Sequence, residues 1–439
     1  MTLAVPPEHI DAFLDLARRR EVEATVLGEF TDSGLLECYY GGKRVAALDM
    51  AFLHDGLPRM ELEAQLDPQP PAGSVEVISD DLGADLKKVL GALNVCSKES
   101  FVRMYDCEVL AQSVLKQFQG ELQDGPGDAA VIRPVPDSWR GLAVACGIAP
   151  KYADLDAGSM MACAVDEAVR NLVSVGAGLG QIAGLDNFCW PDPVQSEKTP
   201  DGRHKLAQLV IACETLYDLC VAYGIPLISG KDSMKNDYKL GDVKISIPPT
   251  VLFTAAAIIE DVRRCVTMDV KRPGDLVFAL GETHDEMGGS EYFEIKGLRG
   301  GVPPRVRPLG FRRLYEQLNK AIRSGLVASC HDCSDGGLGV ALAESAFAGG
   351  FGMKLDFTRI PDMPENPATT LFSESQGRFV VTVSADHFPA FKAMMDGLPC
   401  VFLGVVTEEP WLDMAFSDDL QVREHIDDLR NAWKNTLNW

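Results

Sequence analysis

Glu167 and Asn171 stand four residues apart in a stretch whose apolar positions recur at helical spacing, so a helix stacks the two side chains on one face. Their neighbours Ala164, Val165, Ala168 and Leu172 are apolar. A carboxylate and an amide oxygen aimed in one direction suit a hard cation such as magnesium; an exposed polar stripe is the plainer alternative. Gly127-Asp128-Ala129-Ala130-Val131 is a small-residue turn entering a strand, with one carboxylate at its mouth. His331-Asp332-Cys333-Ser334-Asp335-Gly336-Gly337 precedes a helix rich in Ala and Leu. Ser334 or Asp335 can cap that helix, and the free amides at its start favour an anion. Ser229-Gly230-Lys231-Asp232-Ser233-Met234 follows an apolar strand and offers backbone amides, a positive charge and a hydroxyl to a phosphate. It lacks the spacing of a Walker A loop. Asp186-Asn187-Phe188 ends an earlier strand and adds a carboxylate. For each of these turns, an ordinary surface turn or helix cap is the alternative.

Other chemistries are poorly supported. No GxSxG elbow appears, no GxGxxG opens a helix after a strand, and HExxH is missing. The twelve cysteines are scattered, and Cys330 with Cys333 forms the sole CxxC, with no second ligand pair nearby. Zinc is therefore not expected, and reduced, packing cysteines are.

The elements that must position these residues read as follows. Apolar periodicity predicts helices over 159–175, 205–223, 310–324 and 336–348, a helical stretch over 84–118 broken near Ser97, and a strand over 275–281. A segment near the C-terminus, Phe379-Val380-Val381-Thr382-Val383, then Phe388 and Phe391, then Val401-Phe402-Leu403-Gly404-Val405-Val406-Thr407, has a second copy near the N-terminus. There Leu3-Ala4-Val5 is followed by Ile10 and Phe13 and then by Thr25-Val26-Leu27-Gly28-Glu29-Phe30-Thr31, with Leu36 answering Leu412. Each copy reads as strand, amphipathic helix, strand, and in the first the helix spans about Pro7 to Arg20, with short paired strands around Gly41-Gly42. The expected division is a partial domain over 1–60, a Pro-rich linker and helical segment over 61–125, domains over 126–265 and 266–415, and a polar tail over 416–439.

At 46% hydrophobic residues the chain can bury ordinary cores. Forty-one basic against 64 acidic residues give a net charge of −23. That disfavours nucleic acid or an anionic membrane surface as a partner. No run of about 18 apolar residues suggests a membrane span, and the N-terminal residues do not read as an export signal; the expectation is a cytoplasmic protein.

Taken together, GDAAV (127–131), DEAVRN (166–171), LDNF (185–188), SGKDSM (229–234), IPPT (247–250), HDCSDGGL (331–338) and LFSESQGRF (371–379) closely resemble the phosphoribosylformylglycinamidine synthases, within the aminoimidazole ribonucleotide synthetase-like superfamily. The resemblance covers nearly the whole chain and is to the second half of that duplicated synthetase. It implies a mixed α+β and α/β architecture: an N-terminal domain that pairs with a counterpart to form a barrel, and a C-terminal domain. Residues 1–60 would then be the end of the preceding copy of the C-terminal domain.

The activity implied is ATP-dependent conversion of formylglycinamide ribonucleotide and glutamine-derived ammonia to formylglycinamidine ribonucleotide, ADP and phosphate. ATP phosphorylates the amide oxygen, ammonia displaces the phosphate, and positioning and electrostatics supply the catalysis. By position, the resemblance makes Asp128, Glu167, Asn171 and Asp332 ligands of a magnesium that accompanies an auxiliary ATP or ADP. Gly127, Asp128, Asp332 and Ser334 become contacts of that nucleotide. Asp186, Gly230, Lys231 and Ser233 become this half's contribution to the catalytic ATP and substrate site. Lys231 departs from the small form of the family, which has asparagine there, and an ammonium repels magnesium. The catalytic histidine is expected in the other half, so turnover by this chain alone is not expected. The partners implied are the first half of the synthetase, or self-association through the barrel, and a glutaminase subunit. A nucleotide-binding structural module is the alternative from another class. A selenophosphate synthetase or thiamine-phosphate kinase is disfavoured by the SGKDSM and ESQ loops.

Overall fold

The computed structural model describes residues 1–67, 75, 77–105, 107–108, 110–241 and 243–437. It divides into two units, Met1–Leu62 and Glu63–Trp439. Much of the expected Pro-rich linker, residues 68–74 and 76, lies outside the described residues.

In the first unit a 3-10 turn at Pro7–His9 leads into α1 (Ile10–Arg19). Pro7 sits where its missing N–H would have had no partner. Strands β1 (Leu35–Tyr40) and β2 (Lys43–Asp49) pair antiparallel. Gly41 and Gly42 turn between them with φ of 56° and 76°, the pair of positive angles that matches the twist of a two-residue hairpin. Helix α2 (Met50–Asp55) follows at once, with the Asp49 carboxylate accepting from the Ala51 and Phe52 amides. The strands expected at Leu3–Val5 and Thr25–Thr31 do not form. Leu3, Val26, Leu27 and Phe30 are exposed, and Ala17 is the unit's one buried residue. Strands need a ladder partner, and the unit's described strands β1 and β2 are already paired with each other.

The second unit begins with α3 (Leu82–Leu90), capped by Asp81, and α4 (Glu99–Val102). The expected long helical stretch is realised as these two short helices only, because Ser113–Leu115 is recruited as β3 to the edge of a sheet. The chain continues through the short pair β4 (Phe118–Gln119) and β5 (Gly125–Pro126), then β6 (Ala130–Ile132), β7 (Gly141–Ile148), α5 (Ala157–Ser174), β8 (Ile182–Cys189), α6 (Gly202–Tyr223), β9 (Leu227–Ser233), the hairpin β10 (Asp237–Leu240) and β11 (Val243–Ser246), and β12 (Thr250–Ile259). The sheet order is β3-β6-β7-β12-β8-β9, antiparallel except for the parallel pair β8–β9.

Burial alternates along β7 and β12 as strand geometry requires. Ala143, Ala145, Val251, Phe253, Ala255 and Ala257 are buried on the face covered by α5. The opposite face carries exposed Val144 and Ile148, and no described helix covers it. Helix α6 is long and apolar enough by composition to cross a membrane. Here it packs along α5 and α8, and its first turn carries Arg203, His204 and Lys205.

The third set of elements is β13 (Leu276–Leu280), α7 (Glu291–Lys296), α8 (Pro308–Arg323), β14 (Ser329–Asp332), α9 (Gly337–Gly349), β15 (Gly352–Asp356), α10 (Pro367–Phe372), β16 (Phe379–Val383), α11 (Phe388–Met394), β17 (Cys400–Thr407), β18 (Trp411–Ala415), β19 (Gln421–His425) and α12 (Ile426–Asn435). Its sheet runs β14-β16-β13-β17-β15-β18-β19. Every residue of α9 is buried, which fits a helix that is apolar on nearly all sides, Glu344 and Ser345 apart.

The tail from residue 416 belongs to this fold rather than trailing from it. β19 closes the sheet edge against β18, and α12 packs on α3 and α9 through Leu429 and Trp433. The amphipathic spacing of Ile426, Leu429 and Trp433 was the signal. The hairpin β18–β19 followed by α12 has the same order as β1–β2 followed by α2. In the larger unit β13 lies between β16 and β17. The first unit has no described counterpart of β13.

Candidate functional site

Helix α5 begins at Asp156, whose carboxylate accepts from the Gly158 and Ser159 amides. Its inner face presents Asp166, Glu167, Arg170 and Asn171 one turn apart. Strand β14 ends at Asp332 beside this face, and the loop to α9 carries Ser334 and Asp335. Asp128 enters from the turn before β6.

The structure brings together Asp128 and Asp332, which lie 204 residues apart in sequence. One ligand atom each from Asp128, His331 and Asp332 falls within 4.8 Å of the others. Glu167 accepts from the Ile148 amide at 2.9 Å, and its carboxyl is held well above the usual range by burial and by the charges of Asp335 and Asp332. Asn171 is buried, and its Oδ1 has no hydrogen-bond partner among the described residues. Ser334 lines a narrow cleft with Glu167, Arg170, Asp335 and Gln376. Gly127 makes close contact with chain behind it: a Cβ there would lie 2.7 Å from the Gln119 amide nitrogen and 2.9 Å from the Lys116 carbonyl.

Burial pushes Asp332 up to about 6, against the opposing pull of Arg170. Burial and then Glu291 push Asp335 up to about 7. Burial and then Asp335 push Glu374 up to about 8. Carboxyls raised by burial favour a compensating positive charge, and Arg170 beside Asp332 and Lys151 and Lys98 near Asp335 supply part of it. The oxygens of Asp128 and Asp332 suit a hard divalent cation such as magnesium; Glu167 falls outside that cluster, with one oxygen engaged by the Ile148 amide, while the Asn171 amide oxygen is buried and unpartnered.

Helix α9 is not capped by Ser334 or Asp335. Gly336 occupies the cap with φ of 79°, and no side chain bonds there as a cap. Glu374 instead accepts from the Gly336 amide at 2.8 Å and from the Glu291 amide at 2.8 Å. Its other oxygen meets the Tyr152 hydroxyl at 2.5 Å. Tertiary contact supplied a better acceptor than the local side chains.

Asp186, Gly230, Lys231 and Ser233 form a second group on the parallel pair β8–β9. Asp186 registers with Gly230, and Cys189 with Ser233. A Cβ on Gly230 would meet both Asp186 carboxylate oxygens at 3.0 Å, so glycine is what lets that carboxylate lie over the strand. Burial, with the charge of Asp232, raises Asp186. Lys231 is exposed, and the Ser233 hydroxyl meets Asn236 Oδ1 at 3.1 Å. No described hydrogen bond or ion pair joins this group to the first.

Several residues at the site carry no role in the sequence reading. Arg170 is fully buried and bridges Asp166 at 2.6 Å, Gln376 at 2.8 Å and Asp332 at 3.1 Å. Tyr223 and Tyr315 both donate to Asp166. His331 meets Asp128 at 2.6 Å and Glu344 at 3.0 Å. The signal for Glu344 was available: it is the one charged residue in a largely apolar helix.

Residues 126–252 match the family described as AIR synthase related protein, N-terminal domain, and residues 272–415 match its C-terminal domain. The chain belongs to this family of AIR synthase related proteins. It is similar over its whole length to the phosphoribosylformylglycinamidine synthase subunit PurL of a Nocardioides species, at 33% identity, and spans about half (55%) of that relative's length. Among solved structures, Thermotoga maritima PurL complexed with FGAR matches 80% of this chain and 53% of its own, at 18% identity and a TM-score of 0.61. PurLQS from the same organism matches 71% and 48%, at 21% identity and 0.54, and T. maritima PurL complexed with ATP matches 72% and 48%, at 22% identity and 0.52. These likenesses show a shared fold of two mixed α/β domains.

Proposed function

We propose that this chain is the second half of a phosphoribosylformylglycinamidine synthase, holding an auxiliary magnesium-nucleotide and completing a catalytic site shared with another half. The observation that carries this reading is the convergence of Asp128 and Asp332 from separately matched segments of the chain, beside a helix, α5, on which Asn171 Oδ1 is buried and unpartnered. Asp128, Glu167, Asn171 and Asp332 would hold magnesium, which neutralises nucleotide phosphate charge when bound. Gly127 and Ser334 would contact the nucleotide. Arg170 keeps Asp332 and Asp166 in place at the back of the cleft.

Asp186, Gly230, Lys231 and Ser233 would reach the ATP and substrate of the shared site. The exposed ammonium of Lys231 serves a phosphate better than a cation. The exposed apolar side chains Val144, Ile148 and Ile228 support an open sheet face that takes a matching sheet, from the other half of the synthetase or from a second copy. A glutaminase subunit would deliver ammonia to the assembled, cytoplasmic enzyme.

The test is to heat-denature freshly purified protein and quantify adenine nucleotide in the supernatant. About one ADP per chain is expected from a site assembled in this half. Protein that neither carries nucleotide nor binds added magnesium-ADP by calorimetry would overturn the reading.

A further inference from the structure

His331 stands among the candidate metal ligands, yet both of its ring nitrogens are already engaged. Nδ1 faces Asp128 Oδ1 at 2.6 Å and Nε2 faces Glu344 Oε2 at 3.0 Å. All three side chains are buried, with relative exposures of 6% for His331, 3% for Asp128 and 10% for Glu344. Asp128 precedes β6, His331 lies in β14, and Glu344 lies two turns into α9, so the chain of contacts joins a strand of each sheet to the central helix. Glu344 has no other recorded hydrogen-bond or ion-pair partner among the described residues.

We infer that Glu344 is a positioning residue of the metal site: through His331 it fixes the Asp128 carboxylate, so that one oxygen is held by the imidazole and the other is presented to the cation. His331 is thereby a bridge and not a ligand. Physical economy favours this assignment. A hard cation takes oxygen ligands, and an imidazole held between two carboxylates has no lone pair to offer without breaking a buried contact. Removing the bridge leaves Asp128 on a short turn, free to rotate away. Buried groups that orient a ligand in this way typically change metal affinity by about 10- to 100-fold when altered. This inference rests on the proposed magnesium-nucleotide reading and adds to it a residue outside the cleft.

The experiment is a magnesium titration of ADP binding by calorimetry on the full chain, wild type against Glu344→Gln, with ADP binding in the absence of magnesium as the parallel measurement. Weakening of the magnesium dependence by about 10-fold or more, with magnesium-free ADP affinity held within twofold, is expected. A variant that keeps wild-type magnesium dependence overturns the inference while leaving the proposed function standing. A wild type that shows no magnesium-ADP binding overturns that reading and this inference with it. Should Glu344→Gln fail to fold, the wild type decides: with 15N-histidine labelling, the His331 ring nitrogens are expected to keep their hydrogen-bonded shifts when magnesium-ADP is added. Loss of the Nδ1 contact on addition overturns the bridge.

Discussion

Arg170 and Asp332 meet at 3.1 Å with the guanidinium wholly buried, and this contact ties helix α5 of one sheet to the last residue of β14 in the other. The same guanidinium holds Asp166 at 2.6 Å, and the two carboxylates together hold the Arg170 proton firmly despite burial. Arg170→Met leaves both carboxylates without a positive partner in a desolvated site, Asp166 keeping only the Tyr223 and Tyr315 hydroxyls. Loss of about 3–5 kcal/mol in urea unfolding is expected. Arg170→Lys should fall between, because one ammonium cannot serve Asp166, Gln376 and Asp332 together. A methionine variant as stable as the wild type would remove the bridge from the account of this fold.

Asp128→Asn and Asp332→Asn are expected to lose the thermal stabilisation that magnesium-ADP gives the wild type. Ligand at a hundredfold excess over its dissociation constant contributes about 2.7 kcal/mol, readable by differential scanning fluorimetry with and without the ligand. Equal ligand-induced shifts in wild type and variants would count against both assignments.

Asp332, Asp335 and Glu374 sit at about 6, 7 and 8 in the folded chain, each above its ordinary value chiefly through burial. The folded state therefore binds more protons than the unfolded state between about pH 4 and 8. The stability these groups contribute is full below their ordinary range and is lost as pH rises through 6 to 8. The ligand-free protein is expected to become less stable from pH 5.5 to 8.5, and magnesium-ADP to restore more stability at pH 8 than at pH 6, because binding requires the ionised carboxylates. Melting temperatures at four pH values with and without ligand check this. A ligand effect that shrinks with rising pH would refute it.

Gly337 has φ of 73°, and a Cβ there would lie 2.4 Å from the Ser373 carbonyl oxygen and 2.8 Å from that of Leu371. Gly337→Ala combines about 1–2 kcal/mol of backbone strain with displacement of the Ser373 loop, so a loss above 2 kcal/mol is expected on chemical denaturation. Gly310→Ala, in α8 with nothing within 4 Å of the new Cβ, is expected to be neutral or to stabilise by up to about 1 kcal/mol. Similar costs at the two positions would contradict the packing argument.

Val144, on the sheet face opposite α5, and Ile228, on the edge strand β9, are exposed. Concentration-dependent self-association in sedimentation equilibrium is expected at micromolar protein. Val144→Lys or Ile228→Glu should weaken it without lowering the melting temperature. A clean monomer for the wild type would exclude a second copy as the occupant of that face.

Local pattern alone gave the helices α5, α6, α8 and α9 to within a few residues, since each keeps its apolar spacing along its length. It failed where pairing, not periodicity, decides. Thr25–Thr31 has the composition of a strand and no described partner, so it stays unpaired. Ser113–Leu115 reads as the end of a helical stretch and becomes a strand because β6 offers it a ladder. Gln421–His425, in a segment that reads as a polar tail, is likewise held by its pairing to β18.

The sequence by itself determined which chemistry the chain can hold: Asp128, Glu167, Asn171 and Asp332 are oxygen donors, and their motifs resemble those of one synthetase family. Only the tertiary structure decided how those donors are held. The bridge from Glu344 through His331 to Asp128, and the span of Arg170 from Asp166 to Asp332, join residues far apart in the chain. Their strength comes from a shared desolvated interior, which no local spacing encodes.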